Sequence, residues 1–303
     1  MDAIAACLVH VIQKSSLASL LLFACSCLGQ TSGPNLVVSY EGERPHALLR
    51  YELETGSEQN VLVRFKAEAG QSIGSTPAVV ELMSDFEMGV KVVVLSRLGP
   101  DSWKVSYEVT STRVRGSSSG ISRSEADSNL ARMVGFKWHS TFTSRGRIRD
   151  GKVVKSVDFM SNAEARSMMD QLEDSAFVLP KTEVGNDARW SLESRVNHDL
   201  GFTILQSIDV RLLDSPNSGI LKFACAFNGE VEDTEISSGQ MNVTIKRFDF
   251  SGADLVEISL RKPMPIKNRL VLEADFLLRI IRGGEDTMFS GRSINSMAST
   301  LVE

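Results

Sequence analysis

From Val80 to Val94 the chain alternates: seven of the eight even positions, Val80, Leu82, Phe86, Met88, Val90, Val92 and Val94, are apolar, and Glu81, Asp85, Glu87 and Lys91 fall between them. Successive side chains of a β-strand point to opposite faces, so this spacing predicts a strand with one dry face and one wet face. At about 3.3 Å per residue the run would reach roughly 50 Å, well beyond an ordinary strand. A ribbon of that length suits a strongly curved sheet or an incomplete barrel.

The same period governs most of the chain beyond Leu48. A turn at Gly99-Pro100-Asp101 leads into Trp103, Val105, Tyr107 and Val109, which predicts a hairpin. Phe136, Trp138 and Phe142 mark another strand, with Asp150-Gly151 as a tight turn into Val153 and Val154. A second set opens at Trp190 and Leu192 and continues through Ile204, Ile208 and Val210, then Leu221, Phe223, Cys225 and Phe227. Met241-Val243-Ile245 and Val256-Ile258-Leu260 follow as separate runs, and Leu270 to Ile280 forms a final long strand.

Two helices interrupt this pattern. Ser124–Met133 reads as a short one ended by Gly135. In the longer one Ser161 and Glu164 form a capping box, Ala165, Met168, Met169 and Leu172 fall on one face, and Pro180 blocks continuation. The expected fold is α+β, mainly β: two antiparallel meanders, 48–155 and 186–282, making a strongly curved sheet or incomplete barrel around one central helix within the connection 156–185. Residues 1–29 are expected to be an export leader, 30–47 a tether rich in Gly, Ser, Thr and Pro, and 283–303 a polar, loosely ordered tail.

Lys14 ahead of Leu17-Ala18-Ser19-Leu20-Leu21-Leu22-Phe23-Ala24 resembles the basic and apolar regions of a secretory signal. The run is shorter than the roughly 20 apolar residues that span a bilayer. The stretch before Lys14 is long for a leader, which leaves open a translation start further downstream or an uncleaved anchor. Leu22-Phe23-Ala24-Cys25 is similar to a lipobox, which makes Cys25 the expected acylation site, with Cys27 as a second candidate and simple cleavage after Gly29 as the alternative. Acyl chains would hold the protein at a membrane at about 0.8 kcal/mol per buried methylene. With the other three cysteines in the leader, Cys225 has no disulfide partner and is expected in the core.

The formal net charge of -5 gives no reason to expect a nucleic-acid partner, which demands a basic surface. No motif calls for a cofactor or a metal: His10, His46, His139 and His198 lie at no ligand spacing, and the acids from Glu230 to Glu235 lack the glycine of a calcium loop. Gly116-Ser117-Ser118-Ser119-Gly120 matches the nucleophile-elbow pattern, yet that chemistry needs a strand-to-helix turn of an α/β sheet, and a serine linker is the better reading. No catalytic residue is expected. Arg145, Arg147 and Arg149 alternate near Lys152 and Lys155 and offer a contact for lipid phosphates or an acidic partner; the alternative is a wet face or an edge guarded against aggregation.

The segment from Gly135 to Phe142, the Arg145-Gly146 turn, and the stretch from Leu179-Pro180 through Gly185 to Trp190 together resemble an uncharacterised family of secreted bacterial lipoproteins. The architecture is also similar, more distantly, to the open half-barrels of periplasmic lipoprotein carriers. These resemblances imply a cell-envelope or periplasmic location and no known activity, so no functional residue is carried over. The expected function is non-enzymatic: binding an apolar ligand or lipid in a β concavity, or a structural or protein-interaction role built on a solid core. A serine hydrolase ranks last.

Overall fold

The computed structural model describes residues 35–73, 81–117, 122–157, 177–197, 203–214, 219–231, 235–238, 241–282 and 284–302. In chain order they form β1 (Asn35–Tyr40), β2 (Glu43–Ala47), β3 (Glu58–Ile73), β4 (Glu81–Gly99), β5 (Ser102–Ser117), α1 (Arg123–Ala131), β6 (Lys137–Thr143) and β7 (Ile148–Lys155). Then come β8 (Val184–Asn186), β9 (Arg189–Asn197), β10 (Thr203–Leu212), β11 (Leu221–Val231), β12 (Glu235–Ser238), β13 (Met241–Ile258), β14 (Lys267–Arg282) and β15 (Glu285–Val302). One antiparallel sheet runs in the order β1-β9-β10-β11-β13-β14-β15-β3-β4-β5-β6-β7, with β12 added beside β13 and β2-β8 as a separate small pair. Among the described residues the sheet curves without closing into a barrel.

The period-two reading holds where it was strongest. Val90 and Leu272, on opposite halves of the chain, are each 1% exposed. Apolar residues from β3–β6 and from β9–β11 and β13–β15 merge into one core, so the sheet curls its inner face onto itself. The outward face carries exposed charges such as Arg195, Asp209, Arg211, Lys267, Arg269 and Arg292. That is a face turned to water, since a lipid-facing barrel wall is apolar.

Four expectations are corrected. The expected loose tail contains β15, an 18-residue strand that pairs with β14 on one side and β3 on the other. It joins the two meanders into a single sheet. The expected tether contains β1 and β2, because Leu36 and Val38 pack against the core and β1 pairs with β9. Asp150-Gly151 is no hairpin turn: it lies inside β7, where the register with β6 shifts between His139 and Thr141 and Asp150 takes a positive φ of 60°. β7 has two residues there, Asp150 and Gly151, against Ser140 of β6, and Asp is one of the few residues besides Gly that adopts the left-handed backbone seen in this bulge. The chain reverses at Ser144-Arg145-Gly146 instead. Finally, Met241–Ile258 is one strand, with a register shift between Ile245 and Arg247 that moves the inward set from odd to even numbers.

The helix around Ser161–Leu172 lies outside the described residues. The described end of that connection, 177–180, is neither helix nor strand, and Leu179 is fully buried. The described helix α1 is peripheral and buries none of its residues. Ser122 caps it by accepting from the Glu125 N–H (3.2 Å), and Asp127 accepts the Val114 N–H of β5 (2.8 Å).

Candidate functional site

The inner face decides first where a ligand has room. At one end of the curl the concavity is filled: Tyr107 stacks on Trp138 with centroids 5.1 Å apart, and Phe177 stacks on Phe223 at 4.3 Å, with Trp190 edge-on to both. Interiors packed in this way leave few voids larger than a water molecule. Towards the other end Phe250 lies over Gly229, its cross-strand partner, and a Cβ there would come within 2.0 Å of the ring. Phe276 covers Gly291 in the same way, at 2.3 Å. These rings occupy the space that side chains on the two glycines would need. A smaller second core of Ile204, Ile245, Phe250 and Ala274 follows.

The outer face supplies the space. A groove of about 980 Å³ crosses β9, β10, β11, β13 and β14. Strand register builds it from two rows. In the first, Asn35, Glu193, Ser207, Asn228, Ser251 and Glu273 sit opposite one another in succession. In the second, Arg195 faces Leu205, which faces Glu230, which faces Asp249, which faces Asp275. Both rows belong to the outward set, because the buried Ile208, Phe227 and Leu272 alternate with them. The lining holds the carboxylates of Glu193, Glu230, Asp249, Glu273 and Asp275 against the guanidinium of Arg195. Arg292 pairs with Glu273 from the rim, and Arg247 reaches Asp249 at 3.6 Å.

Glu230, Asp249 and Asp275 are the unusual element. They place three carboxylates side by side on three neighbouring strands. Like charges directly opposite in a sheet destabilise it, with Cβ atoms only about 4.5–5.5 Å apart. Among the described residues no three His, Cys, Asp or Glu side chains converge closely enough to hold a metal ion. The arrangement therefore presents a broad negative surface with hydroxyl and amide donors beside it, a match for spread-out positive charge.

Of the residues singled out from the sequence, Cys25 and Ser118 lie outside the described residues, as do Met168 and Met169. Gly116 and Ser117 end β5, a strand of an antiparallel sheet. His139 is half-buried on β6, and burial together with Lys104 and Lys137 holds its pKa below the ordinary value. Cys225 is buried on β11 opposite Asp254. Its thiol is pushed up by burial and by that carboxylate.

Arg145, Arg147 and Arg149 do not share one strand face. Arg149 is exposed beside Asp150 (3.7 Å), whereas Arg145 sits in the turn and Arg147 just after it, both half-buried. Arg145 Nε donates to Leu179 O (2.9 Å), and the Leu179 N–H returns a bond to Arg145 O (2.9 Å). Arg50, which the sequence did not point to, donates to Pro180 O (2.8 Å) and Lys181 O (2.9 Å). Two guanidinium groups thus grip three successive carbonyls. Arg50 and Arg145 lie 95 residues apart in sequence, so only the fold could bring them together.

No protein-family model matches this chain, and neither does any curated protein. Among solved structures it is similar to a loop L8 deletion mutant of OmpT, an outer membrane protein of Vibrio cholerae, at 8% identity and a TM-score of 0.20 over 82% of this chain and 100% of the other. A trimeric, in-vitro folded form of the same Vibrio cholerae protein gives 8% identity and 0.17 over 81% and 100%. Scores this low carry no argument about fold or function.

Proposed function

We propose that this chain is a non-enzymatic, exported binding module of the cell envelope that recognises a cationic segment of a partner protein in its outward groove. The row Glu230–Asp249–Asp275 carries the proposal. Like charges opposite one another disfavour a sheet, and a lysine- or arginine-bearing segment laid along the row would offset that repulsion further than Arg247 and Arg292 beside it do. The hydroxyls of Ser207 and Ser251 and the amides of Asn35 and Asn228 line the same groove and can hydrogen-bond an extended backbone. The filled concavity at Trp138, Trp190 and Phe223 supports an interaction role over carriage of an apolar ligand. The envelope location rests on the basic-then-apolar leader and the lipobox at Cys25.

Titration of the purified protein with a fluorescent oligolysine peptide, and separately with palmitate, tests this reading. The peptide should bind at low salt and weaken steeply as salt rises, and E230Q/D249N/D275N should reduce its affinity at least tenfold. Palmitate should not bind. Peptide binding unaffected by the triple substitution, or palmitate bound in its place, would overturn the proposal.

A further inference from the structure

Three arginines gather at the filled end of the curl, a charge of the opposite sign to the groove. Arg50, Arg145 and Arg147 lie close enough that Arg145 feels both of the others as like charges. The balancing group within reach of Arg50 is Asp101. Two of the guanidinium groups are fixed in place, Arg50 by Pro180 O and Lys181 O, and Arg145 by Leu179 O. The Arg145 bond uses Nε, so that among the described residues both terminal nitrogens, a parallel pair of donors, remain for a ligand. Arg147 is placed by the turn itself, its backbone N–H donating to Thr143 Oγ1 (3.0 Å).

The turn is closely packed. Gly146 has a φ of 83°, and a Cβ there would come within 2.0 Å of Phe177 O, so the Arg145-Gly146 reversal is pressed against the 177–181 segment. Half-burial strengthens the field of three cations around one carboxylate, because water screens them less. Guanidinium donors held in a fixed fork suit a planar or tetrahedral oxyanion better than a single charge would.

We propose that Arg145 and Arg147, with Arg50 behind them, bind a phosphate-type oxyanion, either free or as a lipid headgroup. Inorganic phosphate and phosphatidylglycerol vesicles are the probes, and phosphatidylcholine vesicles are the control. Wild-type protein should melt several degrees higher in millimolar phosphate than in sodium chloride of equal ionic strength. R147Q should abolish that rise, each protein being compared with its own melting point in chloride. R145K keeps the charge but loses the fork, and should weaken the apparent phosphate affinity at least tenfold. Co-sedimentation with phosphatidylglycerol vesicles that R147Q removes assigns the site to a headgroup; a phosphate-dependent rise without vesicle binding assigns it to a soluble phosphate. Equal melting points in phosphate and chloride, or a response of R147Q equal to that of wild type, would refute the site.

Discussion

Replacing Asp254 with Asn should stabilise the protein at neutral pH. Asp254 is buried on the inward side of β13, between Cys225 of β11 and Leu270 of β14. Burial raises its pKa from the ordinary 3.8 to about 6, against the opposing pull of the Arg269 and Leu255 N–H groups. The folded protein therefore holds a proton on this carboxyl more tightly than the unfolded chain does. Between about pH 4 and 6 the native state carries the extra proton, so stability falls as pH rises through that window and levels off above it. Two pKa units at 1.36 kcal/mol each make the ionised form about 3 kcal/mol less favourable than the neutral one. An Asn in the same rotamer keeps an oxygen for the Arg269 N–H (2.9 Å) and never ionises. Its amide N–H groups face a thiol, a weak acceptor, which returns part of the gain. Urea unfolding at pH 4.5 and pH 8 should show D254N near or slightly below wild type at the lower pH and about 1–3 kcal/mol above it at the higher. A D254N protein less stable at pH 8, with the wild-type pH slope intact, would mean that the backbone donors hold the carboxylate ionised and that the burial argument is wrong.

Three further outcomes can be measured directly. Ala at Gly229 would drive its Cβ to 2.0 Å from the Phe250 ring and should cost about 1–3 kcal/mol in urea unfolding. Ending the chain at Arg282 removes β15, which strips one edge of β14 and one edge of β3 of their partner and separates the two halves of the sheet, so circular dichroism should show loss of the cooperative fold rather than a trimmed one. If Cys25 is acylated, C25S should move the protein from the membrane fraction to the soluble fraction and remove the lipid mass from its N-terminus. An unchanged partition would refute the anchor.

Hydrophobic alternation made β4, β5, β10, β11 and β14 legible because their inward positions are apolar, as at Val90, Val105, Val210, Phe223 and Leu272. β15 was hidden by the same rule. Its inward positions include Ser293, Asn295 and Ser299, each at most 5% exposed, so a buried strand reads as a polar tail. The position of β15 between β14 and β3 forces burial on those side chains, and Asn295 Nδ2 and Ser299 Oγ are left without partners among the described residues. In β13 the obstacle was phase. Ile245 and Val256 are both inward yet differ in parity, because the register slips between Ile245 and Arg247.

The groove was beyond any reading of the sequence, for a different reason. Its carboxylates come from β9, β11, β13 and β14, and each alone is an ordinary wet-face acid. Glu230 is 19 residues from Asp249, and Asp249 is 26 from Asp275, distances that mean nothing until strand register is known. Register sets Glu230 against Asp249 and Asp249 against Asp275, and a slip of one residue would turn that row inward. The Phe250–Gly229 pair adjoins this row on the inner face, and Phe276–Gly291 lies one residue beyond it. Packing that pins the strands inside thus also fixes which charges meet outside. G229A should therefore weaken oligolysine binding along with stability, by letting the Glu230–Asp249 register slip. If G229A lost stability but kept full peptide affinity in its folded fraction, the row would owe nothing to the inner packing and the groove's geometry would need another cause.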